Sequence, residues 1–488
     1  MRVAAKIKRN SKWTMLCFWL MAVLTIIYFL PVIAQRRPSP KVVVLAHVTV
    51  VDLSSGQLHQ NQFIVIEGER IVAVGGSDAV VVPSGARVIN ALGKYVIPGL
   101  WDAHVHLSYL GACALPVFVA NGVTSVRDCG ARLEDTSTWQ EQIAHGKLIG
   151  PRIKTSGPNL ESSEWLARAW KILPSTDVAW RLGPRQEVRD AEQAAVVVES
   201  LADLGVDFIK FRNLPRERFM AVMTEAKRRG LIVAGHAPKG TSLAEASDAG
   251  IRSIEHAETI MLSLGSLPAE ERLRSFQVLA RNGTLITPTL ITDVAAHLTP
   301  DSDALGIIAD THNARDVRRR YISAQTLRLW QHGIELKKQY EDSEDWHSQY
   351  RREVEDMRLA RRAGVQMMTG TDVGGTFGLY PGFSLHDELE LLVKEVGLTP
   401  VEALQSATLD PPAFFSLQME FGAIEPGKIA DLVLLDANPL TDIRNTRRIR
   451  AVVIRGKVFE RPALDAMLAE VASAVSRGTG CEAEKQAR

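Results

Sequence analysis

Two histidines stand two residues apart in the run VIPGLWDAHVHL at residues 96–107: His104 and His106. In an extended strand, residues i and i+2 point to the same face. Both imidazoles would leave one strand end side by side, a spacing suited to gripping a metal ion but open equally to two surface histidines. Four more residues of ligand or base chemistry close short apolar runs further along. Lys210 closes VDFIK, His236 closes LIVAGH, His256 closes IRSIEH and Asp372 closes VQMMTGTD. Of the chain's twelve histidines, only His104, His106, His236 and His256 end such a run.

The residue types define what chemistry they can do together. Imidazole nitrogens and a carboxylate suit Zn²⁺. A protonated lysine offers donors only and cannot bind a cation. Carboxylated by carbon dioxide, Lys210 would present two anionic oxygens able to bridge metals roughly 3.5–4 Å apart. The alternative is an unmodified lysine that contacts substrate through its charge. Asp372 is a candidate proton shuttle between an attacking water and a leaving amine; a pure metal ligand or a helix cap is the plainer reading.

The elements that must position these residues alternate β-type and helical patterns. Eight short apolar runs end at residues 106, 128, 157, 212, 237, 257, 290 and 372, with helical stretches between them that often finish in Gly. Eight such units close a (β/α)8 barrel, and barrel enzymes keep their active sites at the C-terminal ends of the strands. All six candidates sit at such ends. The expected fold is α/β: a distorted (β/α)8 TIM barrel over residues 98–417, with a small β-sandwich domain from both chain ends, residues 41–97 and 418–460. Residues 461–488 form a C-terminal tail. The charged stretch 299–362 reads as a solvated helical insertion, since acidic residues interleave its arginines.

Length and composition narrow the function classes. The chain has 488 residues, 46% of them hydrophobic, and a net charge of +1, so nothing in its bulk charge points to nucleic acid. Its four cysteines form no CxxC pair, which indicates neither a zinc knuckle nor a disulfide framework; Cys113 and Cys129 are expected to pack as small apolar groups. Residues 1–34 combine a basic head with an apolar run, as in a signal peptide or a membrane anchor. Either puts the remainder outside the cytoplasm, with a membrane tether in the second case.

Together the motifs PGLWDAHVHL, GVTSVRD, DFIKF, VAGHA, SIEHAE, TGTD, HDELELLVKEVGLTPVEALQSAT and EPGKIADLVLLDANPL resemble the amidohydrolase superfamily. Within it, the chain is most similar to the imidazolonepropionase-like and Xaa-Pro dipeptidase (prolidase) branch. That resemblance implies a binuclear, zinc-type centre. His104, His106 and Asp372 would hold one ion, His236 and His256 the other, and carboxylated Lys210 would bridge them. It implies a hydrolase of a small amide or peptide C–N bond, with an Xaa-Pro dipeptide or an N-acyl amino acid as the leading substrate. Two alternatives are the opening of a cyclic amide and an exported binding protein without catalysis. Homo-oligomerisation stays open. Trp165, Trp170 and Trp180 are pocket-lining candidates in a loop that departs from the relatives' pattern. Arg127 and Asp128 would contact substrate or pair with each other, and His386 would be structural beside the mouth.

Overall fold

A computed structural model of the chain describes residues 42–172, 183–337 and 345–479. The β-branched runs near both chain ends form one eight-stranded sheet. Val42–Asp52, Gln57–Glu67, Arg70–Gly75, Arg87–Asn90 and Tyr95–Pro98 join Leu432–Leu435, Ile449–Ile454 and Lys457–Glu460. The seam between the two ends is the antiparallel pairing of Tyr95–Pro98 with Leu432–Leu435, with Ile97 opposite Val433. Successive strand residues face opposite sides. Leu45, Ile64, Val96 and Leu432 therefore pack on one face, and Val44, Phe63 and Val65 on the other.

Between these flanks the chain builds a parallel barrel. Leu100–Val105, Val123–Asp128 and Arg152–Thr155 make a three-stranded sheet. A second parallel sheet runs in the order Arg185–Val188, Asn159–Ser162, Phe208–Phe211, Ile232–Gly235, Ser253–Glu255, Leu285–Thr287. The barrel is distorted where these two sheets meet. The chain breaks after Thr155, whose carbonyl accepts the Asp207 N–H, and a new strand at Asn159 takes over beside Phe211. The eighth run contributes only two bridges, Met367 to Ile286 and Val373 to Val105, which close the ring between the seventh and first strands. Gly370 makes that passage possible: a Cβ there would lie 2.8 Å from the backbone nitrogen of His104 and 2.7 Å from Thr287.

The insertion differs from its expected solvated state. Between the seventh strand and the closing segment lie the helices Asp301–Ala309, Ala324–Lys337 and Trp346–Arg362. Ala324–Lys337 buries Thr326, Leu329, Trp330 and Ile334, an apolar stripe at helical spacing that the surrounding charges conceal. Trp330 is fully buried, edge-on to Phe377 and Tyr380 at 5.3 and 5.4 Å between ring centroids.

Residues read as a tail contain the helix Arg461–Arg477, which buries Leu464, Met467 and Val471 and stops at Gly478 in the left-handed conformation. Cys113 corrects its sequence reading, because it is disulfide-bonded. Cys129 is buried and free, so the Cys113 partner lies outside the described residues. No helix among the described residues is long and apolar enough to cross a membrane. Residues 1–34, read as a leader or anchor, lie outside that range.

Candidate active site

The candidate ligands reach the barrel mouth from five segments, and two of the histidines are held on their far side. His104 is fully buried, with Nδ1 2.7 Å from Glu255 Oε2. The same carboxylate oxygen accepts Arg127 Nη2 at 2.7 Å, and Oε1 accepts the Ser253 hydroxyl at 2.6 Å. A carboxylate acceptor at Nδ1 fixes the proton there and leaves the Nε2 lone pair facing the cavity. His256 is braced likewise, Nδ1 lying 2.9 Å from Thr289 Oγ1.

On the cavity side the groups converge. The His104 ring is 4.6 Å from that of His256 and 5.3 Å from that of His106; His236 and His256 are 4.8 Å apart. Asp372 Oδ1 lies 2.9 Å from His106 Nε2 and 3.4 Å from His104 Nε2. Ligand atoms of His104, His256 and Asp372 all fall within 4.8 Å of one another. Lys210 is buried beneath them. All six side chains line one cavity of about 620 Å³.

Backbone strain marks the same place. His256, Thr289 and Asp372 adopt φ of 67°, 51° and 56°. Such conformations cost about 1–3 kcal/mol each for residues other than glycine and collect at functional sites. Here they turn side chains off the strand ends toward a common centre.

Electrostatics hold the groups in ligand-competent forms. Burial, then the Lys210 charge, pushes His104 down to about 4, and the same two causes hold His236 well below the ordinary histidine range. Burial also holds His256 low. Burial works to raise Asp372, but the histidines around it, His106 with Nε2 2.9 Å from its Oδ1 foremost, outweigh that and keep the carboxylate ionised. Neutral imidazoles beside an ionised carboxylate are the states that bind metal. His104 Nε2, Asp372 Oδ1 and Lys210 Nζ are buried without hydrogen-bond partners. Buried polar atoms are otherwise almost always paired, so this donor set fits a cation among them. A second convergence, His104 with Cys129 and Glu255, fits one poorly. Burial raises the Cys129 thiol to about 12, and Arg127 already neutralises Glu255.

Other expectations divide. Trp165 lines the cavity. The Trp170 and Trp180 side chains lie outside the described residues. Arg127 and Asp128 neither contact the cavity nor pair with each other. Arg127 is buried between Glu255 and the rings of Phe208 and Phe414, and Asp128 accepts the Gly130 N–H. His386 is structural: buried, it joins Thr446 Oγ1 at 2.9 Å and the Asn121 carbonyl at 3.0 Å. Sequence reasoning passed over Glu255, one position before His256. Its signal was the alternation of Ser253 and Glu255 toward the barrel interior. The walls were also missed: Tyr109, Arg185 and Arg212 on one side, and Leu329, Gly333 and Leu336 from the insertion on the other.

Comparison with known proteins agrees with this geometry. The model of the amidohydrolase family matches residues 95–459. Ochratoxinase of Aspergillus niger is 24% identical over 487 residues, covering 88% of this chain and 90% of the relative. Imidazolonepropionase of Symbiobacterium thermophilum is 24% identical over 422 residues, covering 80% and 90%. A crystal structure from Bifidobacterium longum, provisionally called a prolidase, is 27% identical with a TM-score of 0.66, covering 89% of this chain and all of that one. The chain belongs to the amidohydrolase family and is a hydrolase of C–N bonds.

Proposed function

We propose that the chain hydrolyses the amide bond of a small carboxylate-bearing substrate, an Xaa-Pro dipeptide or an N-acyl amino acid, with two divalent cations, Zn²⁺ by ligand type, in its cavity. The observation that carries this reading is the convergence of six side chains on one 620 Å³ cavity, with His104 Nε2, Asp372 Oδ1 and Lys210 Nζ among their unpartnered polar atoms. That volume suits a small organic ligand. His104, His106 and Asp372 would hold one cation, His236 and His256 the other, with Lys210 between them as a carbamate. Cations there would supply a polarised scissile carbonyl and a water acidified to a pKa of about 7.

The protein's own residues do the rest. Glu255, anchored by Arg127, keeps His104 in one tautomer and one orientation. Asp372 stays ionised beside His106 and takes a proton from the attacking water. It then passes that proton to the leaving nitrogen, so that an amine and not an amide anion departs. A buried Lys210 with no acceptor favours the carbamate over a bare ammonium, because an unpaired buried charge is costly. The same lysine speaks against the cyclic-amide alternative, which needs only one metal and no bridge. The disulfide at Cys113 supports export, since such bonds persist in oxidising compartments.

The test combines metal analysis with a substrate library. The purified protein should carry about two metals per chain, lose activity to a chelator and regain it with Zn²⁺. It should release amino acids from Xaa-Pro dipeptides or N-acyl amino acids. Lys210→Ala should lose most metal and activity; full retention of both would overturn the bridge. One metal per chain would favour the cyclic-amide reading, and none a binding protein.

A further inference from the structure

We propose that Arg185 and Arg212 form a carboxylate-binding subsite in the cavity wall, set in place by the buried Glu161, which selects substrates bearing a free anionic group. The inference rests on the amide-hydrolase reading and names which part of the substrate this wall recognises.

Glu161 lies on the strand Asn159–Ser162 and is fully buried. Its Oε2 accepts Arg185 Nη1 and Asn213 Nδ2, each at 3.1 Å. Its Oε1 accepts the backbone N–H of Ser162 and of Asn213, also at 3.1 Å. One carboxylate thus takes four N–H donors and pins together two chain segments, the start of the strand Arg185–Val188 and the end of the strand Phe208–Phe211. Both segments carry an arginine facing the same aromatic ring. The Arg185 guanidinium carbon sits 4.5 Å from the Trp165 ring centroid and that of Arg212 sits 5.8 Å from it.

Among the described residues, two cations then share a wall with one anion, Glu161. The Arg185 side chain is only 9% exposed. Burial, followed by the charge of Arg212, lowers it to about 10. Arg212 makes no ion pair among the described residues, and its Nε is buried without a hydrogen-bond partner. A planar carboxylate matches the guanidinium fork, would satisfy that N–H and would cancel the repulsion between the two arginines. The subsite belongs to the same cavity as the histidines. Tyr109 links them: its ring is 6.0 Å from that of His106, and its hydroxyl packs on Gly183, two residues before Arg185, so closely that a Cβ there would be 2.1 Å away.

Matched substrates separate the subsite from the catalytic reading. Acetate release from N-acetyl-L-leucine should exceed that from N-acetyl-L-leucinamide by at least about tenfold in kcat/KM, the size of one charge-assisted hydrogen bond. Arg212→Met should erase that preference through KM, with kcat for the acid changed by less than about threefold, since it removes ground-state and transition-state binding alike. Arg185→Met strands a buried carboxylate, so the double variant Arg185→Met/Glu161→Gln serves instead, with its fold checked by circular dichroism. Calorimetry with 4-methylpentanoate and 4-methylpentan-1-ol provides an arm without a scissile bond: the acid should bind, the alcohol should not, and Arg212→Met should abolish the difference. If no amide is cleaved yet the acid binds through Arg212, the hydrolase reading fails and the subsite stands. If Arg212→Met leaves both the substrate preference and acid binding unchanged, the subsite is wrong.

Discussion

The floor and the walls of the cavity are built by opposite means. The floor is a set of side chains at strand ends, several of them braced from behind: His104 by Glu255, His256 by Thr289, and the closing segment by Asp102, which accepts both the N–H and the hydroxyl of Thr371. The walls come from segments that follow the first, third and fourth strands and from a long insertion, and they mix arginines with leucines. Rigid strands hold reacting groups to tight tolerance, whereas loops can change chemistry without disturbing the barrel. The difference predicts that floor substitutions abolish turnover for every substrate, while wall substitutions re-rank substrates.

The largest expected effect tests the floor. Asp372→Asn keeps the shape of the side chain and tolerates the left-handed backbone at φ 56°. It removes the proton carrier, and turnover should fall by about 10²–10⁴ for all substrates with little change in melting temperature. A loss below tenfold would remove Asp372 from proton transfer. Next comes the brace. Glu255→Ala leaves Arg127 buried without its partner, which should cost about 3–5 kcal/mol in chemical denaturation. It should also weaken metal binding by about 10- to 100-fold. Glu255→Gln, which keeps an acceptor, should do less of both; equal damage from the two would mean that the charge, and not the acceptor, matters.

This division also explains what the sequence made legible. His104, His236 and His256 were readable because each closes an apolar run that turn residues punctuate, and strand ends in a barrel share one mouth. Glu255 was hidden by its neighbour: a carboxylate next to a ligand histidine looks like solvent-facing charge until the left-handed turn at His256 sends the two side chains apart. The insertion misled for a related reason. Its helices are rich in arginine and glutamate, and the stripe of Leu329, Trp330 and Ile334 is narrow, so composition pointed to solvent while spacing pointed to a core. The third strand divides because the break at residues 156–158 admits Asn159–Ser162 beside Phe208–Phe211, a pairing between distant segments that no local pattern encodes. Cys113 was misread because a single cysteine with no neighbour at CxxC spacing carries no local sign of a disulfide.

A smaller effect tests the apolar wall. Leu329, 8% exposed, lines the cavity, and its β-carbon and methyl lie close to Gly375. Leu329→Ala should lower kcat/KM about tenfold for substrates with a bulky apolar acyl group, the usual worth of a few methylene contacts. Acetylated substrates should be unaffected and metal content unchanged. A uniform loss across both substrate types, or loss of metal, would make this helix part of the floor and break the comparison.

The smallest effect concerns how the insertion is tied to the barrel. Asp293, just after the seventh strand, lies beside Glu353 on the helix Trp346–Arg362. Gln349 donates to Glu353 at 3.1 Å, and His297 lies 3.1 Å from Asp293. Burial, then the charge of Asp293, raises the Glu353 carboxyl, which favours its protonated form beside Asp293. A raised folded-state value means that the stabilisation is complete below the ordinary carboxylate range. It is lost as pH climbs through the folded value, because the fold must then surrender a proton that it holds more tightly than the unfolded chain does. Stability should therefore decline by about 1–2 kcal/mol from pH 5 to alkaline conditions. Glu353→Gln retains a donor to Asp293 without a proton to lose, and should flatten that decline in melting temperature while leaving substrate ranking unchanged. If the variant tracks the parent at every pH, the Glu353 proton is not what fastens the insertion, and the helix is held by Trp330 and its neighbours alone.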